Sequence, residues 1–346
     1  MPTEKLLVKL FTHGDLDGFG SEVAVRLAFS EKNVNIETVV CDYPNIDKVL
    51  FDHFSSLVNT PRISNPVTII TDICPKEPKV ISLINEWSSS PRLEGSLPLP
   101  INTSSEDLEK LSVLVIDHHE IALNLRKENY PWLFAEKEHC GTYLTWKVLN
   151  NLNEKKMNKL EFLQFIKLVD VYDMWRLDDI FRPVAVRLNL LFYFLGRNFL
   201  VEEYVNRYKE YTWDRLADPE GTLAYKLQEK EIEVIDNIIS SNNFSADKIK
   251  VDNENKKFFI VFCDGKESEV GWRVLQEHPE IDYVVIASVR NNKLSFRSRQ
   301  IENNVDVTKI AKRLGGGGHP SGNVSGVSLS DLSNNIRSDI AKRILG

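Results

Sequence analysis

The chain has 346 residues, 42% of them apolar and 27% charged, with a formal net charge of −7. That composition excludes a disordered chain, and the longest apolar stretch, "LNLLFYFLG" (188–196), falls well short of the roughly 18 residues a membrane span needs. Lys and Arg number 27 against 38 Asp and Glu over residues 1–247, then 16 against 12 over 248–346, so the charge is −11 followed by +4. This balance disfavours binding long duplexes through backbone charge and leaves room for a few local phosphate contacts, or for cations among the surplus acids.

In chain order, "LLVKLF" (6–11) predicts a strand that runs into "HGDLDG" (13–18), where His13, Asp15 and Asp17 crowd within five residues. Asp and Gly suit a turn, and an Asp can cap the helix expected over "GSEVAVRLAFSE" (20–31), so a turn and a metal or phosphate site both explain this stretch. A second strand, "PVTIIT" (66–71), runs into Asp72, and the helical pattern "PKVISLINEW" (78–87) follows. The Ser/Pro-rich residues 88–110 read as a surface insertion. A third strand, "LSVLVI" (111–116), runs into Asp117, His118 and His119. Short, nearly continuous apolar strands alternating with helices predict an α/β fold, a parallel sheet with helices on both faces. Ligands of such sheets bind at the carboxyl ends of the strands. A turn alone explains Asp and Gly at those ends, but not histidines at two of the three.

The pattern from Met157 to Val171 is helical and ends in "LVDVYDMW" (168–175), and residues 180–245 stay mostly helical, including 200–211 and 223–239. After a polar stretch the texture turns to β at 256–263, 283–290 and 293–299, then to a helix at 306–314 that enters "GGGGHPSGNVSG" (315–326). The expected organisation is a catalytic α/β domain over 1–195, a helical linker over 196–250 and a smaller α/β domain over 251–346. Cys41, Cys74, Cys140 and Cys263 are far apart and form no C-x-x-C pair, so they read as reduced, buried thiols. With no apolar signal region at the start, the expected location is the cytoplasm. His53, His139 and His278 have no partner pattern, Thr142 reads as a helix cap, and Trp175 reads as core in preference to a base-stacking platform.

Clustered Asp and His without thiolates suit two hard-to-borderline divalent ions; imidazole shifts the preference toward Mn²⁺, with Mg²⁺, Co²⁺ or Zn²⁺ as substitutes. Two such ions about 3.5–4 Å apart lower the pKa of water and stabilise charge on phosphoryl oxygens, so no nucleophilic side chain is needed.

Taken together, "HGDLDG", a strand-end Asp72, "DHH" (117–119), an acid in "DVYDMW" and "GGGGH" (315–319) follow one another as in the DHH phosphoesterases with a DHH-associated C-terminal domain, which this sequence resembles. The "YDMW" form and the two-domain length are most similar to the short-RNA exonucleases called nano-RNase B. The resemblance implies that His13 and Asp15 hold one metal, that Asp17, His118 and the fourth-motif acid hold the other, and that Asp72 bridges both. It assigns Asp117 to the metal centre behind His118, fixing that ring, and His119 to the substrate phosphate, so that Asp72, Asp117, His118 and His119 form the catalytic set. Of the two acids in the fourth motif, "YDMW" favours Asp173 as the ligand, with Asp170 in support. In the C-terminal domain, Gly316, Gly317, Gly318 and His319 would admit a phosphate to backbone N–H groups, joined by Arg297 and, on the same side of its strand, Arg299. "PSGNVSG" after the histidine departs from the family's usual "AAG". The activity implied is hydrolysis of short single-stranded RNA to nucleoside 5′-monophosphates from the 3′ end, in a cleft between the domains. The alternatives are a phosphatase or phosphodiesterase of small nucleotides, such as 3′-phosphoadenosine 5′-phosphate or a cyclic dinucleotide, and a nucleotide-binding protein without turnover. No membrane partner is expected, and a homodimer is one open arrangement.

Overall fold

A computed structural model describes residues 6–43, 45–57, 66–88, 112–207, 222–242, 244, 247–251, 254–299, 305–318 and 324–328. The expected surface insertion, apart from Ser88, and His319 lie outside the described residues. The chain divides into two units, Met1–Gln228 and Glu229–Gly346.

In the first unit, β1 (Leu6–His13), β2 (Val34–Cys41), β3 (Val67–Thr71), β4 (Val113–Asp117) and β5 (Leu133–Ala135) form a parallel sheet in the order β2-β1-β3-β4-β5. Its helices are α1 (Leu16–Phe29), α2 (Ile46–Leu57), α3 (Pro78–Ser88), α4 (Glu120–Leu125), α5 (Gly141–Leu149), α6 (Glu154–Met157), α7 (Leu160–Asp173), α8 (Arg182–Leu195) and α9 (Arg197–Arg207), with α10 (Leu223–Ser241) running on into the second unit. Strands β3 and β4 are buried at every position, as continuous apolar runs are when both faces are covered. Successive side chains alternate between the faces: Leu10, Ile69 and Ile116 pack with α1, α5 and α7, while Phe11, Ile70 and Val115 pack with α2 and α3. Phe19 locks α1 in place against Phe165, Phe192 and Tyr204, with ring centroids at 5.8, 5.2 and 5.8 Å. Full burial of one such ring stabilises by about 1.5–3 kcal/mol, and here it holds down the helix that follows the first acidic cluster.

The second unit carries a mixed six-stranded sheet of β6 (Asp247–Val251), β7 (Glu254–Phe262), β8 (Tyr283–Ser288), β9 (Lys293–Ser298), β10 (Gly317–Gly318) and β11 (Val324–Ser328), in the order β10-β11-β9-β8-β7-β6. Only β7 and β8 run parallel among these pairs. One apolar cluster joins the sheet to α10 and to α11 (Glu267–Glu277), through Ile235, Ile239, Val270 and Val274. Another joins it to α12 (Val307–Arg313) through Val307 and Ala311. The segment expected as a linker over 196–250 is shared out: Leu200, Val201 and Tyr204 belong to the first unit's core, and Ile235, Ile238 and Ile239 to the second's. Among the described residues no single helix is long and apolar enough to cross a membrane.

Candidate metal centre

In the order 2-1-3-4-5, the strand order reverses between β1 and β3, the place where open α/β sheets take ligands at the carboxyl ends of their strands. His13 ends β1, Asp72 follows β3, and Asp117 ends β4 with His118 and His119 behind it. At the first of these ends, Asp15 caps α1, its Oδ1 accepting from Gly18 N–H at 3.0 Å, so the helix begins at Leu16, ahead of the Gly20 start read from the apolar pattern. Its other oxygen lies 2.9 Å from His13 Nδ1. The turn explanation of this stretch is therefore realised on one oxygen, while the other is turned to His13.

Three groups of potential ligands meet here: His13, Asp15 and Asp72; Asp17, His118 and Asp173; and Asp72, Asp117, His118 and His119. Asp72 belongs to two of them. Its backbone is left-handed, with φ of 58°, a conformation Asp tolerates better than most residues and one found often at functional sites. Its Oδ1 lies 3.3 Å from His118 Nε2 and its Oδ2 3.9 Å from His13 Nδ1. His118 Nε2 is also 3.6 Å from Asp17 Oδ2 and 3.5 Å from Asp173 Oδ2. Both oxygens of Asp72, both ring nitrogens of His118 and Asp173 Oδ2 are buried without a hydrogen-bond partner among the described residues. Burial raises the pKa of Asp72, and the charges of Asp17, Asp15 and Asp173 raise it further; Asp173 is raised in the same way by burial, Asp17 and Asp15. Gathered acids without donors are costly unless a cation sits among them. An all-oxygen-and-imidazole donor set with unsatisfied atoms fits divalent metal binding.

Supporting contacts fix these groups from outside. The N-terminus of α5 grips Asp17: Gly141 N–H donates to Oδ2 at 2.6 Å and Thr142 N–H to Oδ1 at 2.7 Å, while Thr142 Oγ1 donates to the Asp17 carbonyl at 2.8 Å. Thr142 thus holds an acid from a distant helix in place of capping its own, whose cap position is Cys140. A Cβ on Gly141 would stand 2.8 Å from Asp72 Cβ, so the backbone must be bare where it passes between the two acids. Asp170 accepts from Cys140 N–H at 3.0 Å, lies 3.1 Å from His139 Nδ1 and pairs with Arg176 at 2.9 Å, so it braces the turn while Asp173, one helical turn on, faces His118. Asp117 differs from the expectation that it fixes the His118 ring. Its Oδ1 accepts from the backbone N–H groups of His118 (2.8 Å) and His119 (3.3 Å), and this brings it to the ring Nδ1 of His119 at 2.8 Å instead. Burial opposes ionisation of Asp117, but the two histidines outweigh it and hold the carboxyl below its ordinary value.

Sequence reasoning missed three contributors: Gly141, Tyr43 beside His13 and His119, and Arg197. Arg197 donates to the carbonyls of His13 and Gly18, both at 2.8 Å, and to Glu22 at 2.9 Å. No local pattern signals any of them, because each works on residues far away in sequence. His139, read from the sequence as ordinary, stacks on Tyr143 with ring centroids at 3.8 Å. Trp175, with a left-handed φ of 53°, is only partly buried and carries the Arg182 guanidinium over its ring at 4.3 Å.

In the second unit, register sets Arg297 opposite Val324 on β11, the strand that also pairs with Gly317–Gly318. Arg297 donates to Ser268 Oγ at 2.9 Å and to the Phe296 carbonyl at 2.9 Å; burial pulls its pKa down to about 10, against the pull of Glu269 and Glu267. Arg299 is spent otherwise than expected: it donates to the carbonyls of Leu275, His278 and Ile281, at and just beyond the end of α11. Cβ atoms on Gly316 and Gly318 would meet the carbonyls of Gly326 and Val324 at 2.1 and 2.4 Å, whereas Gly317 is open.

No protein-family model matches the chain. It is 27% identical over 334 residues to oligoribonuclease NrnB of Bacillus subtilis (strain 168), covering 93% of this chain and 73% of that protein. Among solved structures, it resembles an uncharacterized protein from Helicobacter pylori G27 (16% identity, TM-score 0.41, 96% of this chain and 98% of that one). It also resembles RecJ from Thermus thermophilus in complex with Mn²⁺ (14% identity, TM-score 0.46, 93% and 49%) and an exonuclease RecJ bound to manganese (15%, TM-score 0.46, 93% and 85%).

Proposed function

We infer that this chain, a DHH phosphoesterase similar to oligoribonuclease NrnB, is a two-metal phosphodiesterase that hydrolyses short single-stranded RNA to nucleoside 5′-monophosphates, working from the 3′ end. The observation that carries the reading is Asp72, whose two buried, unpartnered oxygens turn to two different ligand groups. His13 and Asp15 would hold one ion, Asp17, His118 and Asp173 the other, with Asp72 shared; Mn²⁺ suits this imidazole-containing set best. When bound, the ions supply charge neutralisation for water and for the phosphoryl oxygens. The chain's own part is to orient Asp17 through the α5 N-terminus and to fix the turn after β1 through Arg197. Because His119 commits Nδ1 to Asp117, its Nε2 is the nitrogen offered to a phosphate oxygen. For the remainder of the substrate we assign Arg297, a buried cation whose burial an anion would relieve, together with Gly316, Gly317, Gly318 and His319. Arg299 is left out of this set.

The test is Mn²⁺-dependent hydrolysis of end-labelled RNAs from two to twenty-four nucleotides, beside Asp117→Ala and beside 3′-phosphoadenosine 5′-phosphate. Cleavage concentrated on two to five nucleotides and lost in the variant supports the reading. Turnover of the small nucleotide alone would replace the substrate, and no metal-dependent cleavage of any of them would sink the enzyme.

A further inference from the structure

The turn after β2 brings one more polar group to the metal centre. Cys41 ends β2 in register with His13, and Tyr43 stands two residues beyond, on the same carboxyl edge of the sheet. Its ring makes an edge contact with His119 at 5.4 Å between centroids and a tilted one with His13 at 6.0 Å. The turn is pinned on both sides: Asn45 and Ile46 N–H donate to the Asp42 carbonyl at 3.0 Å each, and Asp42 N–H donates to Asn45 Oδ1 at 3.0 Å. The ring packs against the apolar layer that contains Phe11 and Ile70. The phenol oxygen at its tip is buried and has no hydrogen-bond partner among the described residues.

An orphaned buried hydroxyl costs stability, and a protein that retains one at a metal centre holds a donor ready for something absent from the resting chain. The phenol O–H is a hydrogen-bond donor, and the charges of Asp117, Asp72 and Asp15 bear on it. Acids surround it, yet none accepts from it. What the pocket lacks is an anionic oxygen delivered from outside.

We propose that Tyr43 is a substrate-contacting catalytic residue whose hydroxyl donates to a non-bridging oxygen of the phosphoryl group attacked at this centre, alongside His119. The proposal rests on the phosphodiesterase reading above. No bond to the phenol forms or breaks, and its proton stays on the oxygen.

Tyr43→Phe removes the hydroxyl and keeps the packing. The variant's Tm without metal should equal or exceed the parent's, since an unsatisfied polar atom is gone, and its Mn²⁺ affinity by water-proton relaxation should stay within about twofold. Its kcat/KM on an RNA dinucleotide should fall about 10- to 100-fold, the effect of losing a hydrogen bond to a charged group, and inorganic phosphate should bind the Mn²⁺-loaded variant about tenfold more weakly. Turnover within twofold of the parent overturns the proposal. So does a fall in Mn²⁺ affinity as large as the fall in turnover, which would assign the phenol to the ions. If the parent leaves the dinucleotide intact, the nuclease reading fails separately, and the phosphate measurement decides Tyr43 alone: weaker binding in the variant supports it, equal binding overturns it.

Discussion

In the first unit, Asp72, His118 and Asp173 bring together buried oxygens and nitrogens without a hydrogen-bond partner among the described residues, whereas in the second Arg299 gives its donors to three backbone carbonyls. Both the acid cluster and Arg299 looked like parts of a site in the sequence. Satisfaction separates them. A polar group whose bonds are complete contributes to stability, while a cluster left incomplete at a cost of order 1–3 kcal/mol per group is held in reserve for a ligand.

The sharpest way to break that contrast is Asp72→Asn. Mn²⁺-dependent hydrolysis of an RNA dinucleotide should fall more than about 100-fold, beyond what loss of a supporting contact costs, while the metal-free Tm at neutral pH should rise. The sign follows from Asp72's native pKa, raised above its ordinary 3.8. The native state then binds the proton more tightly than the unfolded chain, so Asp72's contribution is complete below about pH 3.8 and is lost as pH climbs through the raised value. In the parent, the Tm increase produced by Mn²⁺ should therefore grow with pH, and calorimetry in buffers of differing ionisation enthalpy should detect proton release on binding. A parent with a pH-independent Mn²⁺ shift would count against Asp72 as a ligand.

Next in size is Arg197→Gln, which frees the carbonyls of His13 and Gly18. Mn²⁺ affinity should weaken about 10- to 100-fold, with partial recovery in Arg197→Lys; unchanged affinity in titration would reduce Arg197 to a packing role. On the satisfied side, Arg299→Ala should destabilise the second unit by about 2 kcal/mol in denaturant melts, and leave Mn²⁺ affinity untouched. Smallest is a pair within the glycine run: Gly316→Ala meets the Gly326 carbonyl and should cost about 1–3 kcal/mol, whereas Gly317→Ala, with open space around it, should stay within about 0.5 kcal/mol.

How much was legible follows the same physics. The central strands β1, β3 and β4 declared themselves because strands covered on both faces are continuously apolar, and the acids at their ends were visible for the same reason. Strand β2 was missed: at the sheet edge it alternates between partly buried and exposed positions over Val34–Thr38, with Asn35 and Glu37 exposed, and shows no long apolar run. Strand β5 has three residues, too few for any period. Choosing between Asp170 and Asp173 needed a resemblance, since three-residue spacing puts both on roughly one helix face; the structure divides their work by what each meets. The Asp117 contact was misjudged because a carboxylate reaching the next two backbone N–H groups is carried to the second histidine ring. Gly141, Arg197 and Tyr43 lay beyond local reading altogether, since spacing carries no trace of partners brought close by topology.

The grip of α5 on Asp17 also has a dimension in time. The amide that holds this acid comes 124 residues later in the chain. At a synthesis rate of about 5–20 residues per second, the ribosome takes about 6–25 seconds to make the span between them. Through that interval Asp17 is made but lacks this partner, and the contact must wait for the N-terminus of α5 to be synthesised. A cluster whose acids run from Asp15 to Asp173 is incomplete until most of that unit is made, so on the reading proposed above it would sample the divalent cations around the completed fold and not those around the emerging chain.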